Sequence, residues 1–289
     1  MAFRLETRSI GEAGGVEVVG FDASLCPEAD TRTALRAALD EHQLLLFRDQ
    51  SLDADAQVEL LETFGKPLVE NDEGRRFQYI SNTRLDGILG DGRFAFHSDH
   101  AFMRDPIDVI SLHALEIAVG CGRTHFINGV RAASELPEPL RARVGDLRAR
   151  HIIDPEGDSK TVVARGARLP DQLPHAFHPI LWEHPRTREP ILYVSEQQTD
   201  SVESLGDTES AALIEDLFAH LYSSPLVYVH EWREGDLVIF DNRALQHARD
   251  APGREATRTL RRVVVGGSSV IEFFRMKDGR VVGSNRDAR

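Results

Sequence analysis

Cysteine is almost missing from this chain: Cys26 and Cys121 are the two it has, and they form no C-x-x-C pair. That excludes a disulfide framework and a thiolate-rich zinc site. Basic charge is short as well. Lys and Arg number 34 against 47 Asp and Glu, a formal net charge of -13, which is the wrong sign for a nucleic-acid or anionic-membrane surface. No apolar run approaches the roughly 20 residues of a bilayer-crossing helix. The opening "MAFRLETRSIGEAGG" carries no secretory apolar stretch. The expectation is a cytoplasmic protein acting on a small molecule. Repeats, low-complexity tracts and linkers are not found, so residues 1–289 read as a single domain able to bury a large core.

Four segments carry helical spacing. "DTRTALRAALDEH" (30–42) sets Leu35 and Leu39 four apart, with Asp30 or Thr31 to cap its start. "SLDADAQVELLETFG" (51–65) opens on a Ser or Asp cap and closes on Gly65. "ASELPEPLRARVGDLRAR" (133–150) places Leu140, Val144 and Leu147 on one stripe, and 206–224 places Leu213, Leu217 and Leu221 likewise. Between them lie β-like runs rich in Val, Ile and aromatics: "VEVVGF", "QLLLF", "VISLHALEIA", "ILYVS", "LVYVHEW", "DLVIFDN" and "RRVVVGG". Strands without regularly alternating helices argue against a doubly wound parallel sheet. They predict a mainly antiparallel β-sandwich or barrel with flanking helices. The stretches 66–95, 153–176 and 195–208 read as lids or crossovers.

The chemistry concentrates in "FAFHSDHAF" (94–102). His97 and Asp99 are two apart, so on a strand both side chains reach one ion. With twelve histidines and many aspartates, roughly one H-x-D arises by chance, so a third ligand must be found. His247 is the candidate: it follows an apolar strand and the polar turn Asp241-Asn242-Arg243. A loop histidine bonded to a carbonyl is the bland alternative. In "TRTLRRVVVGG", Arg258, Leu260 and Arg262 alternate onto one strand face, with Thr259, Arg261 and Val263 on the other. Arginines beside apolar residues must pair with protein carboxylates or clamp an anion. Two imidazoles and one carboxylate leave adjacent positions of an octahedral ion open, the arrangement suited to non-haem Fe(II) oxygenases.

In this order the segments resemble the Fe(II)- and 2-oxoglutarate-dependent dioxygenases of the taurine dioxygenase (TauD/TfdA) family, over roughly residues 16–267. "LLLFRDQSLDADAQVELLETFGKP", "FHSDHAF", "GCGRTHFIN", "HPILWEHPRTREPILYVS", "WREGDLVIFDNRALQHAR" and "TRTLRRVVV" each match a family motif. The resemblance implies a double-stranded β-helix (jelly-roll) core with flanking helices. It implies Fe(II) on His97, Asp99 and His247, with Thr124 and Arg258 on the distal carboxylate of 2-oxoglutarate. Arg262 matches a position that touches the co-substrate's other end or an anionic substrate. O2 is the second co-substrate, and succinate and CO2 are released as an unactivated C–H bond is hydroxylated or otherwise oxidised.

Several residues carry expectations of their own. Asn242 and Arg243 order the loop before His247, and Asp241 is a partner for the free N–H of a metal-bound imidazole. Phe96 stands where the family has tryptophan, and Arg123 where it often has Asp. His100 either reaches substrate or faces solvent. His113 reads as a satisfied strand histidine, His178 and His184 as turn formers, and His125 and His175 as pocket-lining candidates. Arg262 and Arg123 point to an anionic substrate, while an amino-acid-derived one is equally compatible. Two other classes are weighed: a non-catalytic β-barrel ligand-binding or sensor protein, and a Zn(II) hydrolase using the same triad. A homo-oligomer, such as a dimer associating through the helices, is compatible with the pattern.

Overall fold

The computed structural model describes residues 5–71, 73–88, 92–118, 120–154, 169–223, 226–251, 256–274, 276–277 and 280–281. An eight-stranded sheet runs in the order Thr7–Ser9, Val16–Val18, Leu44–Phe47, Leu237–Asp241, Val109–Ile117, Arg258–Val265, Gln78–Ser81, Gly87–Ile88. A four-stranded sheet runs Val227–His230, Thr124–Asn128, Leu245–Arg249, Phe94–His97. Pairing is antiparallel except where Val16–Val18 joins Leu44–Phe47 and where Gln78–Ser81 joins Gly87–Ile88. Successive central strands alternate between the sheets: Phe94–His97 small, Val109–Ile117 large, Thr124–Asn128 small, Leu237–Asp241 large, Leu245–Arg249 small, Arg258–Val265 large. This crossing is the expected double-stranded β-helix. Among the described residues no helix is long and apolar enough to cross a membrane.

The large sheet is apolar on both faces, which is why its strands read as unbroken hydrophobic runs. Leu44, Leu46, Ile110, Leu112, Val238, Phe240, Leu260 and Val264 face the small sheet and meet Phe126 and Leu245 there. Leu45, Phe47, Val109, Leu237, Ile239, Val263 and Val265 face outward, under Leu35 and Leu39 of the helix Ala29–His42 and Val58 and Leu61 of the helix Ala54–Leu61. Arg261 lies on that outer face. It donates to Gln57 Oε1 at 2.6 Å and to the carbonyls of Leu52 and Asp53, bolting the second helix to the strand. The alternation foreseen for this strand therefore holds, with Arg258 and Arg262 turned inward. A third apolar cluster joins Leu213, Leu217 and Leu221 of the helix Asp207–Leu221 to Ile127, Leu192, Val194 and Val202.

Three local expectations need correction. The first helix is capped by Glu28, without a side-chain bond, and not by Asp30 or Thr31. The helix expected over 133–150 divides into Gly129–Ser134 and Glu138–Val144, with Pro137 between them, and then becomes the strand Arg148–Ile152. That strand pairs with His175–Pro179 and Thr199–Val202. Its apolar pattern is masked because Arg150, fully buried, donates to Asp200 Oδ1 at 2.9 Å, a partner fifty residues on. The presumed lids are likewise partly ordered structure. The stretch 66–95 contributes Gln78–Ser81 and Gly87–Ile88 to the large sheet, and 195–208 contains Thr199–Val202. Of 153–176, residues 155–168 lie outside the described residues, as do 72 and 89–91 of the earlier stretch.

The turn that carries the chain from the large sheet to the small one is anchored by Asp241. Its Oδ1 accepts from the backbone of Arg243 and Ala244, both at 2.9 Å, and its Oδ2 from His184 Nε2 at 2.9 Å and from Arg186. His184 Nδ1 accepts from the N–H groups of Arg186 and Thr187, so its proton sits on Nε2 and is donated to Asp241. Burial alone would raise this carboxyl; His184 and Arg186 outweigh it and hold it down at about 2. Asp241→Ala strands the buried N–H of His184 and two buried backbone donors, and a loss of about 3 kcal/mol in urea-unfolding free energy is expected. Because the folded-state pKa lies below the unfolded value of about 3.9, the wild-type advantage is complete above about pH 4 and fades as pH falls towards 2. Urea titrations of both proteins across that range check the sign.

Candidate metal centre

His97 ends the strand Phe94–His97, and His247 lies within Leu245–Arg249. The two are direct cross-strand partners, which brings their ring centroids to 4.2 Å. Asp99 arrives differently from expectation. The strand stops at His97 and the chain turns, with Ala101 N–H donating to the Ser98 carbonyl. Asp99 thus reaches its neighbours from a turn, without strand alternation. Its Oδ1 lies 3.2 Å from His97 Nε2 and 3.8 Å from His247 Nε2. Among the described residues these three form the one metal-competent group, with ligand atoms within 4.8 Å of one another.

The donor set fits a divalent iron: two imidazole nitrogens and one carboxylate oxygen converge, a three-ligand set of the kind non-haem iron takes. Protonation states fit as well. The Ala95 carbonyl lies 2.8 Å from His97 Nδ1 and accepts from it, so Nε2 is the nitrogen turned to Asp99. Burial, then the neighbouring His97, push His247 down to about 3, so it is a neutral imidazole. Burial would raise Asp99, but the guanidinium of Arg262 outweighs it and holds the carboxyl well below the carboxylate range. Phe126 and Phe240 wall the His247 ring, with centroids at 6.4 and 5.1 Å.

A set of buried polar groups fixes the turn that bears Asp99. Asn242 Oδ1 accepts from Asp99 N–H at 2.8 Å, and its Nδ2 donates to the carbonyls of Asp99 and Ile107 at 3.0 and 2.9 Å. Arg243 binds Asp105 and Asp108 at 2.7 and 2.6 Å. His178 Nε2 sits 3.0 Å from the carbonyls of both Ala101 and Met103. The expectation for Asp241 is corrected here: it bonds His184 and Arg186, and neither imidazole of the triad. Arg262 donates to Asp99 Oδ2 at 2.6 Å, with Glu70 3.7 Å from its other nitrogen. It therefore leaves Oδ1 as the oxygen turned to the histidines. His100 adopts φ +61° and turns its ring inward, with Nε2 3.7 Å from Glu70.

The far end of the site is cationic. Arg258 is buried, and its Nη2 lies 3.5 Å from Thr124 Oγ1, which also accepts from Trp232 Nε1 at 2.9 Å. Arg258 passes directly over Gly122, where φ is +38° and a Cβ would lie 3.2 Å from the Arg258 Cδ. Burial, then Arg249, push the guanidinium down to about 9, and its buried Nε meets no acceptor among the described residues. A buried cation in this state fits an incoming carboxylate. Arg249 itself was passed over in the sequence. The signal was present: it lies two residues beyond His247 on a strand, hence on the same face. Trp232 was quoted within a motif and given no role. Of the pocket-lining candidates, His125 pairs with Asp250 and His175 rests on the Leu173 carbonyl. His113 is the satisfied strand histidine expected, held between the Gln50 carbonyl and Arg261.

Known proteins are similar to this chain in sequence and fold. Residues 6–264 match the taurine catabolism dioxygenase TauD, TfdA family. An alpha-ketoglutarate-dependent 2,4-dichlorophenoxyacetate dioxygenase of Burkholderia sp. (strain RASC) is 28% identical over 277 residues, 88% of this chain and 91% of the relative. Pentalenolactone F synthase of Streptomyces avermitilis is 28% identical over 284 residues, 89% and 92% of the two chains. A crystal structure of a taurine dioxygenase from Burkholderia xenovorans superposes with a TM-score of 0.77 at 25% identity, covering 92% of this chain and 90% of that one. Fold, ligand geometry and sequence agree, and the chain belongs to the taurine catabolism dioxygenase TauD, TfdA family.

Proposed function

We propose that this chain, acting as a single domain, couples decarboxylation of 2-oxoglutarate to oxidation of an unactivated C–H bond in a small molecule. As a family member it is a dioxygenase, and Fe(II), 2-oxoglutarate and O2 are its cofactor and co-substrates. His97, Asp99 and His247 would hold the iron, which when bound supplies the O2 chemistry that no side chain provides. The observation that carries this reading is the convergence of three ligand atoms within 4.8 Å, beside a buried arginine that no carboxylate of the described residues neutralises.

The protein's own part is positioning and exclusion of water. The Ala95 carbonyl keeps the His97 proton on Nδ1, and Arg262 keeps Asp99 ionised and fixes which oxygen it presents. Arg258 and Thr124 would receive the distal carboxylate of 2-oxoglutarate, with Trp232 holding the threonine hydroxyl in place. Phe94, Phe126 and Phe240 keep the imidazoles dry. For the primary substrate, the anionic class rested on Arg262 and Arg123. The first is engaged by Asp99 and Glu70 and the second by Asp250, so the two arginines no longer favour an anion over an amino-acid-derived or neutral compound.

Two measurements test the proposal. Succinate formation is expected to require both Fe(II) and 2-oxoglutarate, and His97→Ala or Asp99→Ala to reduce it at least about a hundredfold; full turnover by either variant sinks the iron assignment. Arg258→Ala is expected to raise the 2-oxoglutarate concentration for half-maximal rate by about tenfold or more, the loss of a charge-assisted contact. An unchanged requirement rejects its role.

A further inference from the structure

We propose that Glu70 is a positioning residue for the metal centre: it takes up charge of Arg262 and so leaves Asp99 free to give its own to the ion. This rests on the function proposed above. The fold fixes Glu70 from several sides. Leu68 N–H donates to the Val264 carbonyl at 2.9 Å, pinning the chain just ahead of Glu70 to the strand that bears Arg262. Gln78, the cross-strand partner of Arg262, donates through its side-chain amide to the Glu70 carbonyl and accepts from Arg262 at 3.3 Å. Ser269 Oγ donates to the Val69 carbonyl, and Val270 N–H to Glu70 Oε1 at 3.1 Å. With Oε1 so held, Oε2 lies 3.7 Å from Arg262 Nη1 and 3.7 Å from His100 Nε2.

Charge balance gives this placement its consequence. Arg262 is buried and donates to Asp99 Oδ2 at 2.6 Å, on the carboxylate whose other oxygen faces the two histidines. One guanidinium therefore serves two carboxylates, Asp99 and Glu70. With a divalent ion on His97, Asp99 and His247, the charge of Asp99 is committed to that ion, and Arg262 stands beside it as a like charge. Like charges repel strongly in a buried site, and a buried cation without a counter-charge is costly. Glu70 is the carboxylate placed to supply that counter-charge. It also bears on the residue that follows Asp99. His100 has φ +61°, in the left-handed region that favours glycine, and its imidazole faces Glu70. Asp99 is thus steadied through the arginine on its side chain and through the histidine next to it in the chain. The H-x-D segment carries no signal of this, because Glu70 belongs to the stretch 66–95 that reads as a lid or crossover.

The test measures Mn(II) binding by the full chain from the loss of the free ion's electron paramagnetic resonance signal, with neither 2-oxoglutarate nor turnover required. Glu70→Gln keeps an acceptor for Val270 N–H and removes the charge. It is expected to raise the apparent Kd for Mn(II) about tenfold, the size typical of a partner that supports a metal ligand from behind. The metal-free melting temperature is expected to stay at the wild-type value. Made in an Arg262→Met background, the same substitution is expected to lose most of its effect on the Kd, because the coupling runs through the guanidinium. A Kd for Glu70→Gln within about twofold of wild type overturns the proposal. So does a loss just as large without Arg262, and so does a rise that comes with a lowered metal-free melting temperature, which marks a folding defect. Should Arg262→Met fail to fold, the Kd and melting temperature of Glu70→Gln decide the matter alone. A wild type that takes up no Mn(II) overturns the metal centre itself, and this proposal with it. Equal uptake by wild type and Glu70→Gln overturns only the part given to Glu70.

Discussion

The amide of Asn242, buried without exposure, accepts from the N–H of Asp99 with its oxygen and donates to the carbonyls of Asp99 and Ile107 with its nitrogen. These three bonds join the turn that leaves the large sheet to the turn that leaves the strand of His97. One side of the metal centre is delivered by each turn. His247 comes three residues after the sheet-switching turn, and Asp99 comes two residues after His97. His247 is held to His97 by the ladder their strands share, but Asp99 lies beyond the end of its strand and takes its anchor from Asn242. Asp241, immediately before, performs the same service for the backbone that follows, accepting from Arg243 and Ala244. The D-N-R sequence is thus a structural joint, with each of its three side chains fastened to a different piece of the barrel wall.

The strand Arg258–Val265 shows how alternation separates charge by task. Arg261 faces outward and is spent on Gln57 and the carbonyls that open the second helix. Arg262 faces inward and is matched by Asp99, with Glu70 behind it. Arg258 also faces inward, and no carboxylate of the described residues meets it. All three are buried, so each must find compensation or carry the cost of desolvation. Two are compensated by the protein. The third meets no carboxylate of the described residues, which is the physical ground for proposing Arg258 as a binding residue.

Much of this was visible in the sequence, for reasons that can be named. The strands of the large sheet were legible because both their faces are apolar, and the candidate ligand group because His97 and Asp99 are neighbours in the chain. What escaped notice depends on partners distant in sequence. Arg148–Ile152 looked helical because its inward charge, Arg150, is cancelled by Asp200, and no local pattern records that pairing. Asp241 was given to the metal-bound imidazoles when its partner is His184, fifty-seven residues earlier. Arg262 was read as an anion clamp from the expense of burying it, and the anion it meets inside the fold is the ligand Asp99 itself. Arg249 differs, because its place two residues beyond His247 on a strand is readable from the sequence alone.

The net charge of -13 sits oddly with a site for a dicarboxylate co-substrate until distances are considered. Surface carboxylates act through water and salt, where their field decays over about 8–10 Å. Inside the barrel the medium is less polar and charges at close range dominate. Asp99 is already paired with Arg262, so the cation that a small incoming anion would meet is Arg258, which no carboxylate of the described residues meets. The acidic exterior keeps nucleic acid and other polyanions away, because such partners must engage the surface. A small dicarboxylate need only enter, and its affinity is then decided by the local balance. Strand alternation therefore bears on a question that overall composition seemed to answer the other way: an inward Arg258 that no carboxylate of the described residues meets suits a small anion despite the acidic exterior.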